Sequence, residues 1–146
     1  MLKIIDFEKK YQSELYKIHL QVMPKNDIMS LNCFNDEFEQ TTRKYFVAVK
    51  NNIPIGYIGL FNTIDDCNII GIAVLQDKQR QGIGSLLLNK AKEYARENNI
   101  KTLSIEVDTK NDKAINFYKK EGFLLTNIRK NYYKNNSDAY IMFLYL

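Results

Sequence analysis

The period of the apolar positions changes several times along this chain, and each change marks an element. "LKIIDF" near the start reads as a short strand. In "KKYQSELYKIHLQVM", Tyr11, Leu15, Ile18 and Val22 recur at steps of three and four, a helical stripe that Pro24 ends. "CFNDEFEQTTR" predicts a second, short helix with Asn35 or Asp36 near its cap. Two extended runs follow in "KYFVAVKNNIPIGYIGLFN", joined at Asn51–Asn52. Asparagine tolerates positive φ, so the dipeptide suits a hairpin turn. "CNIIGIAVL" is a third β-rich run, apolar enough for a central strand.

Roughly residues 82–98 then return to a helical period. Ile83, Leu86, Leu87, Lys90, Ala91 and Tyr94 form the expected, mostly apolar face, and Asn98–Asn99 close the helix. "KTLSIEVDT" alternates, with Leu103, Ile105 and Val107 on one side and Ser104, Glu106 and Asp108 on the other. "NDKAINFYKKEGF" predicts another helix, capped by Asn111 or Asp112 and stopped at Gly122. Two strands, "FLLTNIR" and "DAYIMFLYL", end the pattern, with "KNYYKNNS" between them. The predicted order is β-α-α-β-β-β-α-β-α-β-β, an α/β chain of the α+β mixed kind whose natural packing is a mixed sheet flanked by helices.

Composition narrows the class without naming a chemistry. The chain has 146 residues, 45% hydrophobic and 26% charged, which fits one domain spanning residues 1–146 with a substantial core. No apolar run reaches the length of a membrane span, and the N-terminal stretch lacks the pattern of a signal peptide, so a cytoplasmic protein is expected. Cys33, Cys67 and His19 are isolated from one another and make no metal-ligand spacing. The two cysteines read as packing or loop residues, and His19 as a surface or core-edge histidine. A net charge of +4 suits an anionic ligand, but its basic residues are dispersed and form no nucleic-acid stripe.

Three features carry candidate chemistry. "QRQGIGS", residues 79–85, sits between a strand and a helix but lacks the Gly-Lys-Ser/Thr of a P-loop and the third glycine of a dinucleotide fingerprint. Gly82 and Gly84 there let backbone N–H groups turn toward one anion at the positive end of a helix, with Lys78 and Arg80 adding charge. The plainer reading is a loop whose glycine merely allows close packing. Glu106 lies in the middle of an otherwise apolar strand, as a carboxylate on the wet face of a sheet or as a general base acting directly or through water. Tyr118, beside Ala114 and Ile115 on its helix, is a core tyrosine or a proton donor.

In combination these residues say more. Ile72-Ala73-Val74, the loop Gln79-Arg80-Gln81-Gly82-Ile83-Gly84, then Glu106, Asn111, Tyr118 and "YKKEGF" together resemble the GNAT superfamily of acetyl-CoA-dependent N-acetyltransferases. The resemblance implies a central, mostly antiparallel sheet of about seven strands with about four helices. It implies that Ile72, Ala73 and Val74 pair with the pantetheine arm of acetyl-CoA. Arg80, Gln81, Gly82, Ile83, Gly84 and Ser85 would then cradle the pyrophosphate.

Over roughly residues 66–146 the segments "EVDTKNDKAINFYKKEGF", "IRKNYY" and "DAYIMFL" are similar to the bacterial RimI-type enzymes, which acetylate the N-terminal alanine of a small-subunit ribosomal protein. That likeness implies Glu106 as base, Tyr118 as acid, Asn111 as a CoA contact, and Tyr132 and Tyr133 in a loop that holds the substrate peptide. The N-terminal half departs from the pattern: Cys33-Phe34 stands where such enzymes often carry Pro-Trp, in a region that helps form the substrate groove. The acceptor therefore stays open between a protein N-terminus, such as that of a ribosomal protein, and a small amine. A non-catalytic acyl-CoA-binding module is the third reading, one that needs neither Glu106 nor Tyr118. No metal, membrane or direct nucleic-acid partner is expected.

Overall fold

The computed structural model describes residues Met1–Leu146. Its elements follow the predicted order: β1 (Leu2–Asp6), α1 (Gln12–Val22), α2 (Leu31–Glu37), β2 (Arg43–Lys50), β3 (Ile53–Asn62), β4 (Asp66–Val74), α3 (Ile83–Glu97), β5 (Thr102–Asp108), α4 (Asp112–Lys120), β6 (Leu124–Arg129) and β7 (Ala139–Tyr145). The strands form one seven-stranded sheet in the order β1-β2-β3-β4-β5-β7-β6, which makes the "CNIIGIAVL" strand central. Every neighbouring pair is antiparallel except β4 with β5. Asn51 and Asn52 both take positive φ, at 54° and 67°, and turn β2 into β3 as their amides allow.

Strand alternation delivers two cores, one on each face of the sheet. In β2, Phe46 and Ala48 join a larger core under α3 and α4, while Tyr45, Val47 and Val49 join a smaller one against α1 and α2. β4 begins with its odd residues, Cys67 and Ile69, in the larger core, yet ends with Val74 there and Ala73 on the opposite side. The cause is one extra residue. Leu60 pairs with Ile69 and Gly59 with Gly71, so Ile70 bulges out and the parity of everything after it reverses. No helix is long and apolar enough to cross a membrane.

Three expectations need correction. Helix α2 starts at Leu31, because Ser30 accepts a hydrogen bond from the Cys33 N–H at 3.2 Å and so caps it. Asn35 and Asp36 lie inside the helix, where Asn35 instead accepts from Gln12 Nε2 at 2.8 Å and ties α2 to α1. On α3, Leu88 and Ala95 are buried while Leu86 is exposed and Lys90 and Tyr94 are half-buried. A run of three leucines does not say which two face the sheet. His19, finally, is a core residue at 1% exposure.

The buried imidazole is held by its hydrogen bonds. Nε2 accepts from the Met29 N–H at 2.8 Å, which leaves the proton on Nδ1 to be donated to the Tyr57 hydroxyl, also at 2.8 Å. Phe34, fully buried at 0%, packs against the ring at 5.0 Å. Burial pushes the imidazole pKa below its ordinary 6.5, so folding favours the neutral form. A lowered folded pKa gives stability that is complete above pH 6.5 and is lost as pH falls through the folded value. His19→Gln is expected to cost about 1–3 kcal/mol at pH 8 through its broken buried hydrogen bonds. The gap to the unsubstituted protein should narrow toward pH 5, as read by denaturant unfolding at both pH values.

Candidate active site

β4 and β5 pair through only three positions, Asp66 with Thr102, Cys67 with Leu103 and Asn68 with Ser104. Past that rung the bulge at Ile70 bends β4 away, and the two strands diverge. β7 holds the far edge of β5 along its whole length, and β3 holds the far edge of β4. Between them lies a wedge whose walls are strand edges with unpaired backbone groups, a ready partner for an extended ligand. Ile72, Ala73 and Val74 lie along the β4 wall. The Val74 carbonyl is already taken by Gln79 Nε2 at 2.9 Å, and Gln79 Oε1 accepts from Lys113 at the start of α4. These two bonds brace the loop that leads into α3.

The start of α3 carries no cap. No side chain accepts from its first turn, no acidic residue lies there, and the first backbone bond runs from the Leu86 N–H to the Gly82 carbonyl at 3.1 Å. The N–H groups of Ile83, Gly84 and Ser85 are left at the positive end of a 15-residue helix. Gly82 takes φ +82° and Arg80 takes φ +63°, which turns the chain sharply into the helix. A side chain at Gly82 would meet nothing within 4 Å, so backbone conformation is what demands glycine there. At Gly84 an added Cβ would only come into ordinary contact with the Phe117 ring, at 3.4 Å, so the packing of α4 does not itself demand glycine there. Ser85 donates its hydroxyl to Glu121 at 2.9 Å and keeps only its N–H for a ligand. Arg80 is exposed. An uncapped helix end beside two open strand edges fits the pyrophosphate and pantetheine arm of acetyl-CoA.

On the α1/α2 face of the wedge lies a groove of about 260 Å³. Glu106, Asn68, Asp27, Tyr132 and Tyr133 line it, together with the ion pair Glu37–Arg43. Arg43 Nε reaches Glu37 at 3.1 Å and the guanidinium stacks 4.2 Å from the Phe61 ring, so that pair neutralises itself. Asp27 and Glu106 have no cation paired to them and give the groove a negative character. Burial, and then the charge of Asp108, push the Asp27 carboxyl up to about 6. The rings of Tyr132 and Tyr133 meet edge to face at 4.9 Å, and burial is the main cause that pushes both phenols up.

Two of the expected residues stand apart from this wall. Tyr118 is 5% exposed and packs between Phe117 and Phe123 in the larger core. Burial, and then the Asp27 charge, push its phenol up, so it stays protonated at neutral pH. Asn111 caps α4, its Oδ1 accepting from the Ala114 N–H at 3.2 Å. Conversely, the groove recruits Asp27, Glu37, Arg43 and Asn68, none of which the sequence reading singled out. Asn68 left one signal, as the lone polar residue inside an apolar strand. Asp27 left none, since "PKNDIM" has no period.

An acid with a raised folded pKa lowers stability as pH climbs from its unfolded 3.8 to its folded value of about 6. Asp27→Asn is therefore expected to stabilise the protein at pH 7 by about 1–2 kcal/mol, with partial exposure discounted. The gain should vanish toward pH 4, as read by thermal unfolding at both values.

Comparison with known proteins supplies the class. Residues 5–123 match the family model described as the acetyltransferase (GNAT) family. The chain is 35% identical over 112 residues to a Bacillus subtilis protein provisionally named a ribosomal protein bS18-alanine N-acetyltransferase, covering 76% of this chain and 74% of that one. It is 30% identical over 142 residues to an N-alpha-acetyltransferase of Sulfurisphaera tokodaii, covering 88% and 84%. The crystal structure of the ribosomal-protein-S18-alanine N-acetyltransferase from Escherichia coli superposes with a TM-score of 0.86 at 28% identity, over 99% of this chain and 94% of that one. A GNAT family acetyltransferase from Elizabethkingia anophelis with acetyl-CoA bound superposes with a TM-score of 0.84 at 25% identity, over 99% and 98%. With the wedge, the uncapped helix and these matches in agreement, the chain belongs to the GNAT family of N-acetyltransferases.

Proposed function

We propose that this chain moves the acetyl group of acetyl-CoA onto the N-terminal α-amine of a protein, with Glu106 as base and Tyr118 as acid. The observation that carries the proposal is the placement of Glu106: its carboxylate lines a negative groove just past the point where β4 and β5 part. Two relatives support a protein N-terminus as acceptor, one named for the alanine of bS18 and one as an N-alpha-acetyltransferase.

The chemistry follows from charge. An N-terminal amine has a pKa of roughly 7.7–8.0, so at neutral pH it is mostly ammonium and not a nucleophile. Asp27 and Glu106 draw the cation into the groove, and Glu106 removes its proton directly or through a water. Acetyl-CoA, when bound, supplies an activated acyl thioester. A free N–H of the β4 edge near Ile72 to Val74 polarises the acyl oxygen. The protonated phenol of Tyr118 gives its proton to the departing sulfur. Tyr132 and Tyr133 form the wall along which the acceptor peptide lies. Holding amine and acyl carbon together accounts for roughly 7–11 kcal/mol in well-oriented systems, more than the acid–base groups add.

Glu106→Gln is expected to lower turnover at pH 7 by about a hundredfold or more, while Tyr118→Phe lowers turnover and leaves acetyl-CoA affinity nearly unchanged. Thiol release measured with a peptide that begins with alanine should exceed release with free amino acids or polyamines. Equal release with the small amines would overturn the peptide assignment, and full turnover by Glu106→Gln would overturn the base.

A further inference from the structure

Between the paired ends of β4 and β5, polar side chains form one continuous ladder. Asp66 Oδ1 accepts from the Thr102 hydroxyl at 2.6 Å, and Asp66 Oδ2 accepts from the Ser104 hydroxyl. Ser104 has one proton, and Asp66 has it, so Ser104 Oγ can only accept from Asn68 Nδ2, which stands 3.1 Å away. The same Nδ2 donates to Glu106 Oε2, also at 3.1 Å. A carboxylate closes the ladder at each end, and neither can donate. The direction of each bond is therefore determined. Turning the amide over would set its oxygen against the Glu106 carboxylate and against a hydroxyl oxygen with no proton to give.

Asn68 is also well placed to hold something still. It occupies the last rung of the parallel pair, opposite Ser104, while Glu106 stands two residues beyond on the part of β5 that has lost its β4 partner. Asn68 and Glu106 face the same side because Asn68 precedes the bulge at Ile70. A glutamate on an open strand edge samples several rotamers. One charge-assisted donor on Oε2 selects a single arrangement and leaves Oε1 for the acceptor amine.

We propose that Asn68 is the positioning residue for Glu106, the amide holding one carboxylate oxygen so that the other meets the amine. The inference rests on the reading of Glu106 as the base. It asks nothing of the acceptor's identity.

A double-mutant cycle tests it. In the otherwise unchanged enzyme, Asn68→Ala should lower kcat by about tenfold, as expected for a loosened catalytic group, and leave the KM for acetyl-CoA within about twofold. Asn68→Asp, with the same shape but no donor, should lower kcat further by setting a second carboxylate against Glu106. In a Glu106→Gln background neither change should lower kcat again, because no carboxylate remains to be aimed. A merely structural asparagine would produce the same proportional loss in both backgrounds. That result, or undiminished kcat in both single variants, overturns the positioning role while the base assignment stands. Full turnover by Glu106→Gln overturns both. Should Asn68→Ala fail to fold, the isosteric Asn68→Asp carries the cycle alone.

Discussion

The parting of β4 from β5 is the constraint on which the rest of this structure depends. One extra residue, Ile70, reverses the parity of β4 and bends it off its parallel neighbour after three pairs. The sheet stays whole because β3 and β7 hold the outer edges of the two strands. The consequence is an opening at the centre of the sheet, flanked by backbone and not by side chains. Unpaired strand edges are normally a liability, and here they are the walls of an open wedge. The larger core under α3 and α4 supports one side of the wedge and the smaller, aromatic core under α1 and α2 supports the other.

Charge divides the wedge into two unlike ends. At the α3 end, free N–H groups, the helix dipole and Arg80 make a positive cradle. On the α1/α2 face, Asp27 and Glu106 make a negative groove, since Arg43 is neutralised by Glu37. Under the proposed reaction, a donor rich in phosphate and an acceptor that arrives as a cation would be drawn to different places and meet between them. Asp27 pays an electrostatic penalty in the folded state for that arrangement, which is the pattern expected where function and stability compete.

Much of this was legible in the residues themselves. Asn51–Asn52, Asn99 and Gly122 mark chain reversals because few residues accept positive φ, and each appears where expected. Alternation in β5 sends Leu103, Ile105 and Val107 into the larger core as expected. What the sequence conceals depends on distant partners. His19 reads as peripheral until Met29 and Tyr57 supply both of its hydrogen bonds. Asp27 enters the groove only because the turn after α1 folds over β5, where Asn26 bonds to Asp108 at 2.9 Å. The bulge at Ile70 leaves no trace because every residue from Ile69 to Val74 is apolar or glycine, so the parity of β4 beyond it was not readable. Of the glycine pair, Gly82 answers to backbone conformation, while a side chain at Gly84 would make only ordinary contact with Phe117.

Under the proposed function, an open strand edge and an uncapped helix hold acetyl-CoA together through backbone N–H groups. Amide hydrogen exchange with and without saturating acetyl-CoA reads those groups themselves. Protection should rise at Ile83, Gly84 and Ser85 and along Ile72–Val74, while β1 and β6 at the sheet margins stay unchanged. Binding of acetyl-CoA with no added protection at either segment would contradict the account.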